Sequence, residues 1–169
     1  MFSPQQPPEI ITSLSRWVQG KINTIEIVAV VIIIIVLALN AFLQQSILSI
    51  LPIILLPLGC CYFLLAYSPE FTGDRDRVNE FLYKISNYAS SVFSIGFLFK
   101  IMHWPGTSLA LMSSGIFLLI TFIALLFVRK RESFHRYFDN QMIMRIAIAG
   151  VFALLLWLLP AEELSGLGI

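Results

Sequence analysis

The chain has 169 residues, 58% of them hydrophobic and only 12% charged, with a net charge of +1. Soluble domains carry about 25% charged residues, so half that share leaves too little polar surface to face water, and a near-neutral balance gives a nucleic-acid backbone nothing to bind. Composition therefore excludes a soluble domain and a nucleic-acid partner, and predicts an integral membrane protein of the all-α class, with lipids as its first partners.

Residues 1–8 are proline-rich and are expected to be disordered. From residue 9 to 21 the spacing turns helical. Ile10, Leu14, Trp17 and Val18 share a face, with Arg16 and Gln19 elsewhere. Two readings are open here: a short helix lying on the membrane surface, or a helical lead-in to the first span. The domain division takes the first, with a cytoplasmic segment 1–23, a transmembrane domain 24–160 and an outer tail 161–169. The first apolar run is too long for a signal-peptide core, and no small-x-small cleavage site follows it, so it is expected to stay in the membrane.

From Ile27 to Pro69 no residue is charged. One span needs about 20 residues. This stretch therefore holds two, 24–43 and 47–67, broken by the polar group Asn40, Gln44, Gln45 and Ser46. Pro52 and Pro57 each lack a backbone donor and are expected to bend the second span. Cys60 and Cys61 lie side by side within it. They point to different sides of a helix, which argues against a disulfide between them, and two sulfurs alone make no metal site. A polar loop at 68–80 leads to a third span, 81–102. The tight turn from His103 to Gly106 leads to a fourth, 107–128. A second polar loop at 129–141 precedes a fifth, 142–160, stopped by Pro160.

Charge sets the orientation of these five spans. Arg16, Lys21, Arg75, Arg77, Lys84, Arg129, Lys130, Arg131, Arg136 and Arg145 fall on one side or its flanks, and the other side holds only Lys100. Basic residues favour the cytoplasm, so the N-terminus is expected inside and the C-terminus outside. A four- or six-span count would spoil the segregation.

The residues that invite a chemical role cluster at the 103–106 turn. Gly96, Lys100 and His103 recur at i, i+4 and i+7, on one helical face. The plain reading has Lys100 snorkelling to the interface, Trp104 as an anchor, and Pro105 and Gly106 as a turn in which Gly106 needs φ > 0. The functional reading makes Lys100 and His103 an ionisable pair at a proton-linked or protein–protein site. Glu162 and Glu163 follow the fifth span on the same side, so either could pair with Lys100. Ser86, Ser90, Ser94 and Gly96 on the third span, and Ala110 and Ser114 on the fourth, have the small-residue spacing of close helix packing; Asn87 and Ser91 nearby leave a polar conduction stripe as the alternative. Arg129, Lys130, Arg131 and Arg136 suit an anionic lipid surface. No catalytic motif, metal cluster or cofactor signature is present, so an enzyme is not expected and no cofactor or metal is called for.

The run Gly96, Leu98, Phe99, Lys100, Ile101, Met102, His103, Trp104, Pro105 and Gly106 resembles, in order, the transmembrane hairpin motif of the gliding-motility family GldL. The likeness covers about residues 88–128. It implies a bacterial inner-membrane protein that assembles with itself or with a membrane partner, linked to gliding motility and type IX secretion. Members of that family are ion-powered motors, and Lys100 and His103 match residues implicated there in proton coupling. The family's second hairpin helix carries a membrane-embedded glutamate. Here the matching stretch, Phe117 to Ile120, is apolar, and the family's cytoplasmic domain is replaced by a fifth span. The resemblance thus implies a structural or assembly component first, and a proton-coupled motor or transporter subunit as the alternative.

Overall fold

A computed structural model describes residues 9–43, 47–67, 76–130 and 134–159. Proline-rich 1–8, the Gln44–Ser46 break, most of the 68–80 loop, Arg131, the Pro160 stop and the tail with Glu162 and Glu163 lie outside them. The described residues are helical and contain no strand. Helix α1 spans Glu9–Leu43, a 3₁₀ turn Ile47–Ile50 leads into α2 at Leu51–Leu65, and α3 spans Arg77–Ile101. Then come α4 at Thr107–Val128, a four-residue α5 at Phe134–Tyr137, and α6 at Asn140–Leu158.

Several boundaries move from those expected, each for a local reason. Helix α1 is unbroken, so residues 9–21 are the start of one long helix and not a separate short one. Its 35 residues reach about 52 Å at 1.5 Å per residue, well beyond a 30 Å hydrocarbon core. Pro52 does not bend α2 but opens it, at a position whose N–H would have no partner, and only Pro57 is internal. Helix α3 starts at Arg77, inside the expected loop. Asp76 caps it, accepting from the backbone N–H of Val78 at 3.1 Å and of Asn79 at 3.4 Å. Asp139 does the same for α6, accepting from Met142 N–H at 2.6 Å.

The loop at 129–141 is not simply polar. Phe134, Tyr137 and Phe138 are buried and join Leu82, Tyr83, Leu125, Met142 and Ile146 in one core cluster. The α5 turn folds three aromatic rings under the end of the bundle, with Phe134 and Phe138 centroids 5.3 Å apart.

Helix α3 is the hub. It packs on α2, α4 and α6, while α1 lies outside against α2. Helix α4 buries Leu111, Ser114, Leu118, Thr121 and Leu125, a seam of alternating three- and four-residue steps. The α6 seam of Met142, Ile146, Gly150, Ala153 and Leu156 meets it. A Cβ on Gly115 would stand 2.8 Å from the Leu154 side chain and one on Gly150 would stand 3.1 Å from Leu118 Cβ, so these two glycines set the α4–α6 approach. Four of the described helices are long and apolar enough to cross a membrane: α1, the Leu48–Leu65 segment, α4 and α6. Helix α3 has the length, 25 residues, but its serines and asparagines lower its hydropathy. It keeps them inside: Asn79, Ser86, Asn87, Ser90, Ser91 and Ser94 are all buried.

Candidate functional site

At the turn end, the sequence from Phe99 to Gly106 is a helix stop built in full. Met102 closes α3. His103 follows at φ 53, the left-handed region. The Trp104 N–H reaches back to the Phe99 carbonyl at 2.9 Å and the His103 N–H to the Lys100 carbonyl at 3.4 Å. Those two bonds are a Schellman cap. The apolar contact that accompanies such caps is present too, with the Trp104 and Phe99 rings 5.3 Å apart, edge to face. Pro105 cannot continue the helix, and Gly106 takes φ 88 as the turn was expected to require. The Thr107 hydroxyl donates to the Trp104 carbonyl at 2.7 Å, and α4 begins. The order of histidine, tryptophan, proline and glycine thus has a backbone explanation. His103→Gly is expected to hold or raise stability, whereas His103→Val and Gly106→Val should each cost about 1–2 kcal/mol in detergent unfolding, because branched side chains disfavour this region.

Lys100 is half-buried, and its Nζ donates to the Leu159 carbonyl at 2.7 Å. The last carbonyls of α6 have no intrahelical partner, and Lys100 serves one of them. Beside it, Trp157 Nε1 donates to Ser108 Oγ at 2.9 Å. The turn is therefore fastened to the end of α6 from two sides. Glu162 and Glu163, offered as partners of Lys100, lie outside the described residues. Trp104, Pro105, Gly106, Arg129 and Lys130 are exposed.

Ser86, Ser90, Ser94, Gly96 and Ser114 are buried, and Gly96 marks a close helix contact. A Cβ on Gly96 would meet Ala110 Cβ at 3.1 Å, so α3 and α4 touch through that pair. Ser86, Ser90 and Ser94 donate to the carbonyls of Tyr83, Ser86 and Ser90 on their own helix, at 2.8, 2.8 and 3.0 Å. Ser114 does likewise to Leu111 at 3.1 Å. Hydroxyls bonded in this way compete weakly with the backbone ladder. Ser90→Ala should shift stability by no more than about 1 kcal/mol, a value that a thermal melt in detergent checks; a polar conduction stripe would instead need that hydroxyl to face a water path.

A second locus was not singled out from sequence. Arg145 on α6 pairs with Glu26 on α1, and the two side chains are 13% and 20% exposed. Its other terminal nitrogen lies 3.4 Å from Asn87 Oδ1 on α3. Its guanidinium sits 5.1 Å from the ring centroid of Tyr62 on α2. Asn87 in turn donates to the Tyr83 carbonyl at 3.0 Å. Four helices thus converge on one arginine, and its Nε is buried with no hydrogen-bond partner among the described residues. Both charges fall inside segments assigned as spans, at the same end of the molecule. An acid and a base at matching depth in two apolar runs is the signal that could have found them. Counting Arg145 only as a topology marker hid it.

Chemically the cluster can hold charge at depth and fix α1 to α6, two helices that otherwise pack through α2 and its neighbours. The described residues include no group of three or more His, Cys, Asp or Glu able to hold a metal. Cys60 and Cys61 are free thiols. Compared with protein-family models, with curated proteins and with solved structures, the chain finds no match.

Proposed function

We propose that the protein is a five-span inner-membrane component, GldL-like in its α3–α4 hairpin, which assembles with itself or with another membrane protein. In this reading the N-terminus and the basic loops are cytoplasmic, and the turn end and the C-terminus lie outside. The hairpin, with its exposed Trp104, is the assembly surface, and a link to gliding motility and type IX secretion follows from the resemblance alone. What supports an assembly role is the state of Lys100. Its amine is engaged by the Leu159 carbonyl, and the turn it sits in is fixed by a Schellman cap. That is a rigid projection, suited to contact more than to proton exchange.

A photo-cross-linking residue at position 104, in native membranes, tests this. A discrete protein adduct, with a second copy or with one other membrane protein, is expected. Lipid adducts alone would overturn it. Adjacency of the reading frame to type IX secretion components would support the narrower link. The alternative, a proton-coupled motor or transporter subunit using Lys100 and His103 with Glu162 or Glu163, is distinguished in proteoliposomes. It requires proton flux that Lys100→Ala abolishes in a folded protein. The assembly reading expects no such flux, and expects adduct yield to fall more with Gly106→Val than with Lys100→Ala.

A further inference from the structure

Helix α1 outruns the rest of the bundle. Helix α6 has 19 residues and is about 28 Å long, which just fills a hydrocarbon core. The two helices are the first and last of an alternating set, so they run the same way. The Glu26–Arg145 pair fixes their relative height, and sets the start of α6 at Asn140 level with about residue 21 of α1. Ile10 and Leu14 lie about 16 and 10 Å past that level. The inner face of this extension is covered, with Ser15 and Val18 buried. Its outer face carries Ile10 at 72% exposure and Trp17 at 61%, with Leu14 between them. Acyl chains do not reach Ile10 and Leu14, so lipid does not cover them. The outer face stays open through the span as well: 11% of the α1 window is buried, against 28–33% in the other three apolar helices.

We infer that the outer face of α1 pairs with the same face of a second copy of this chain, the two helices parallel. A partner for this face must be a helix that crosses the membrane and continues past it. The α1 of a second copy is such a helix, and it is inserted in the same sense. The spacing suits the pairing. Ile10, Trp17, Thr24 and Val31 recur every seven residues, with Gly20 and Ile27 in the intervening positions, and all six are exposed. That is the alternating three- and four-residue step of a two-helix seam, and it runs unbroken from the extension into the span. No charged residue sits on it. Arg16 and Lys21 flank it, where exposed like charges repel weakly and are screened by salt. Gly20 adds a separate observation. It lies in the interior of a helix, and a Cβ there would meet nothing within 4 Å, so no contact inside the chain needs its missing side chain. A close approach from outside does. The area is sufficient too. A seam along α1, about 52 Å by 10 Å, covers roughly 500 Å² on each copy, and the total of about 1,000 Å² reaches the lower bound for a specific interface.

Disulfide trapping in lipid vesicles that hold this chain alone tests the pairing. The full chain, with Cys60 and Cys61 replaced by alanine, carries a single cysteine either at Ser13, on the seam between Ile10 and Trp17, or at Val78, exposed at the same end of the molecule on α3. Mild oxidation is expected to give a covalent dimer from position 13 and monomer from position 78. Gly20→Leu is then added to the position-13 protein. Leucine is the better helix former and has open space within the chain, so α1 itself should not suffer. The new side chain stands in the seam, and dimer yield should fall about tenfold. Monomer from position 13, the result if lipid or the chain's own ends cover the face, would overturn the pairing. So would equal yields at 13 and 78, or a yield that Gly20→Leu leaves unchanged. A photoprobe on position 13 in native membranes that reaches only a different protein would overturn the second copy as the occupant. Should Gly20→Leu lower the helix content seen by circular dichroism, Ile10→Glu reads the same seam from an exposed position, and the yield must fall with it. The pairing needs α1 to cross the membrane and needs nothing from the α3–α4 hairpin, so the position-13 dimer and the position-104 adduct stand or fall separately.

Discussion

Arg145→Met is expected to destabilise the bundle by about 3–5 kcal/mol, because it breaks a largely buried ion pair and leaves one partner behind. The reason is what it leaves behind. Methionine fills much of the space of the arginine stem, so packing is largely kept. Glu26, however, would then stand four-fifths buried in an apolar segment with its ion-pair partner gone. Asn87 Oδ1 would lose its arginine contact, and the Tyr62 ring its cation. Removing the second charge should therefore help. Glu26→Gln in the Arg145→Met background is expected to recover most of the loss, because a neutral amide costs far less to hold in that position than an orphaned carboxylate. Unfolding in mixed SDS micelles, followed by circular dichroism, measures both. An Arg145→Met loss no greater than that of Lys130→Met at the exposed surface would contradict the convergence of four helices on this residue.

Phe138→Ala is expected to cost a similar amount, about 3–5 kcal/mol. Phe138 is 1% exposed, although residues 129–138 include four basic side chains, Arg129, Lys130, Arg131 and Arg136. Its ring lies 5.3 Å from Phe134 and 6.3 Å from Tyr83, centroid to centroid. Truncation would leave a cavity directly beneath the α3–α6 contact, where neighbours on three elements would have to shift to fill it. Phe127 offers the control. It is 81% exposed, and Phe127→Ala should change stability by about 0.5 kcal/mol or less. The same SDS titration reads both variants, and equal losses would show that the α5 turn does not seal the end of the bundle.

Much of the architecture was legible because the signals were strong and local. The α4 boundaries at Thr107 and Val128 follow from a proline-glycine turn on one side and an arginine-lysine run on the other. The 27–69 stretch without charge is too long for one span, and it holds two helices apolar enough to cross a membrane. Small residues at Gly96 and Ala110 marked the α3–α4 contact correctly, since a close approach needs them whatever surrounds it. Other features were hidden by what a one-dimensional reading cannot weigh. Loop 129–141 is polar on average, and averaging concealed Phe134, Tyr137 and Phe138, which fold inward while their neighbours stay out. Asp76 and Asp139 looked like loop acids, yet each begins a helix. Gly115 and Gly150 lacked a partner in sequence and gain one only across the α4–α6 interface. The site divides in the same way. The turn residues stood out because they are contiguous, and the structure shows what each does locally: His103 supplies a left-handed residue, and the Lys100 amine a donor to a helix end. Glu26, Tyr62, Asn87 and Arg145 are spread over four helices, and no spacing rule connects them.

The proposed architecture rests on α3, whose polar residues hold its hydropathy below that of its neighbours, crossing the membrane inside a shell formed by the other helices. Single cysteines at Val78 and Trp104, exposed positions at its start and just past its end, test this once Cys60 and Cys61 are replaced by alanine. In intact cells an impermeant thiol reagent should label position 104 from outside and should reach position 78 only after the membrane is opened. Labelling of both positions from the same side would remove the fifth span, and with it the outward turn and the assembly surface.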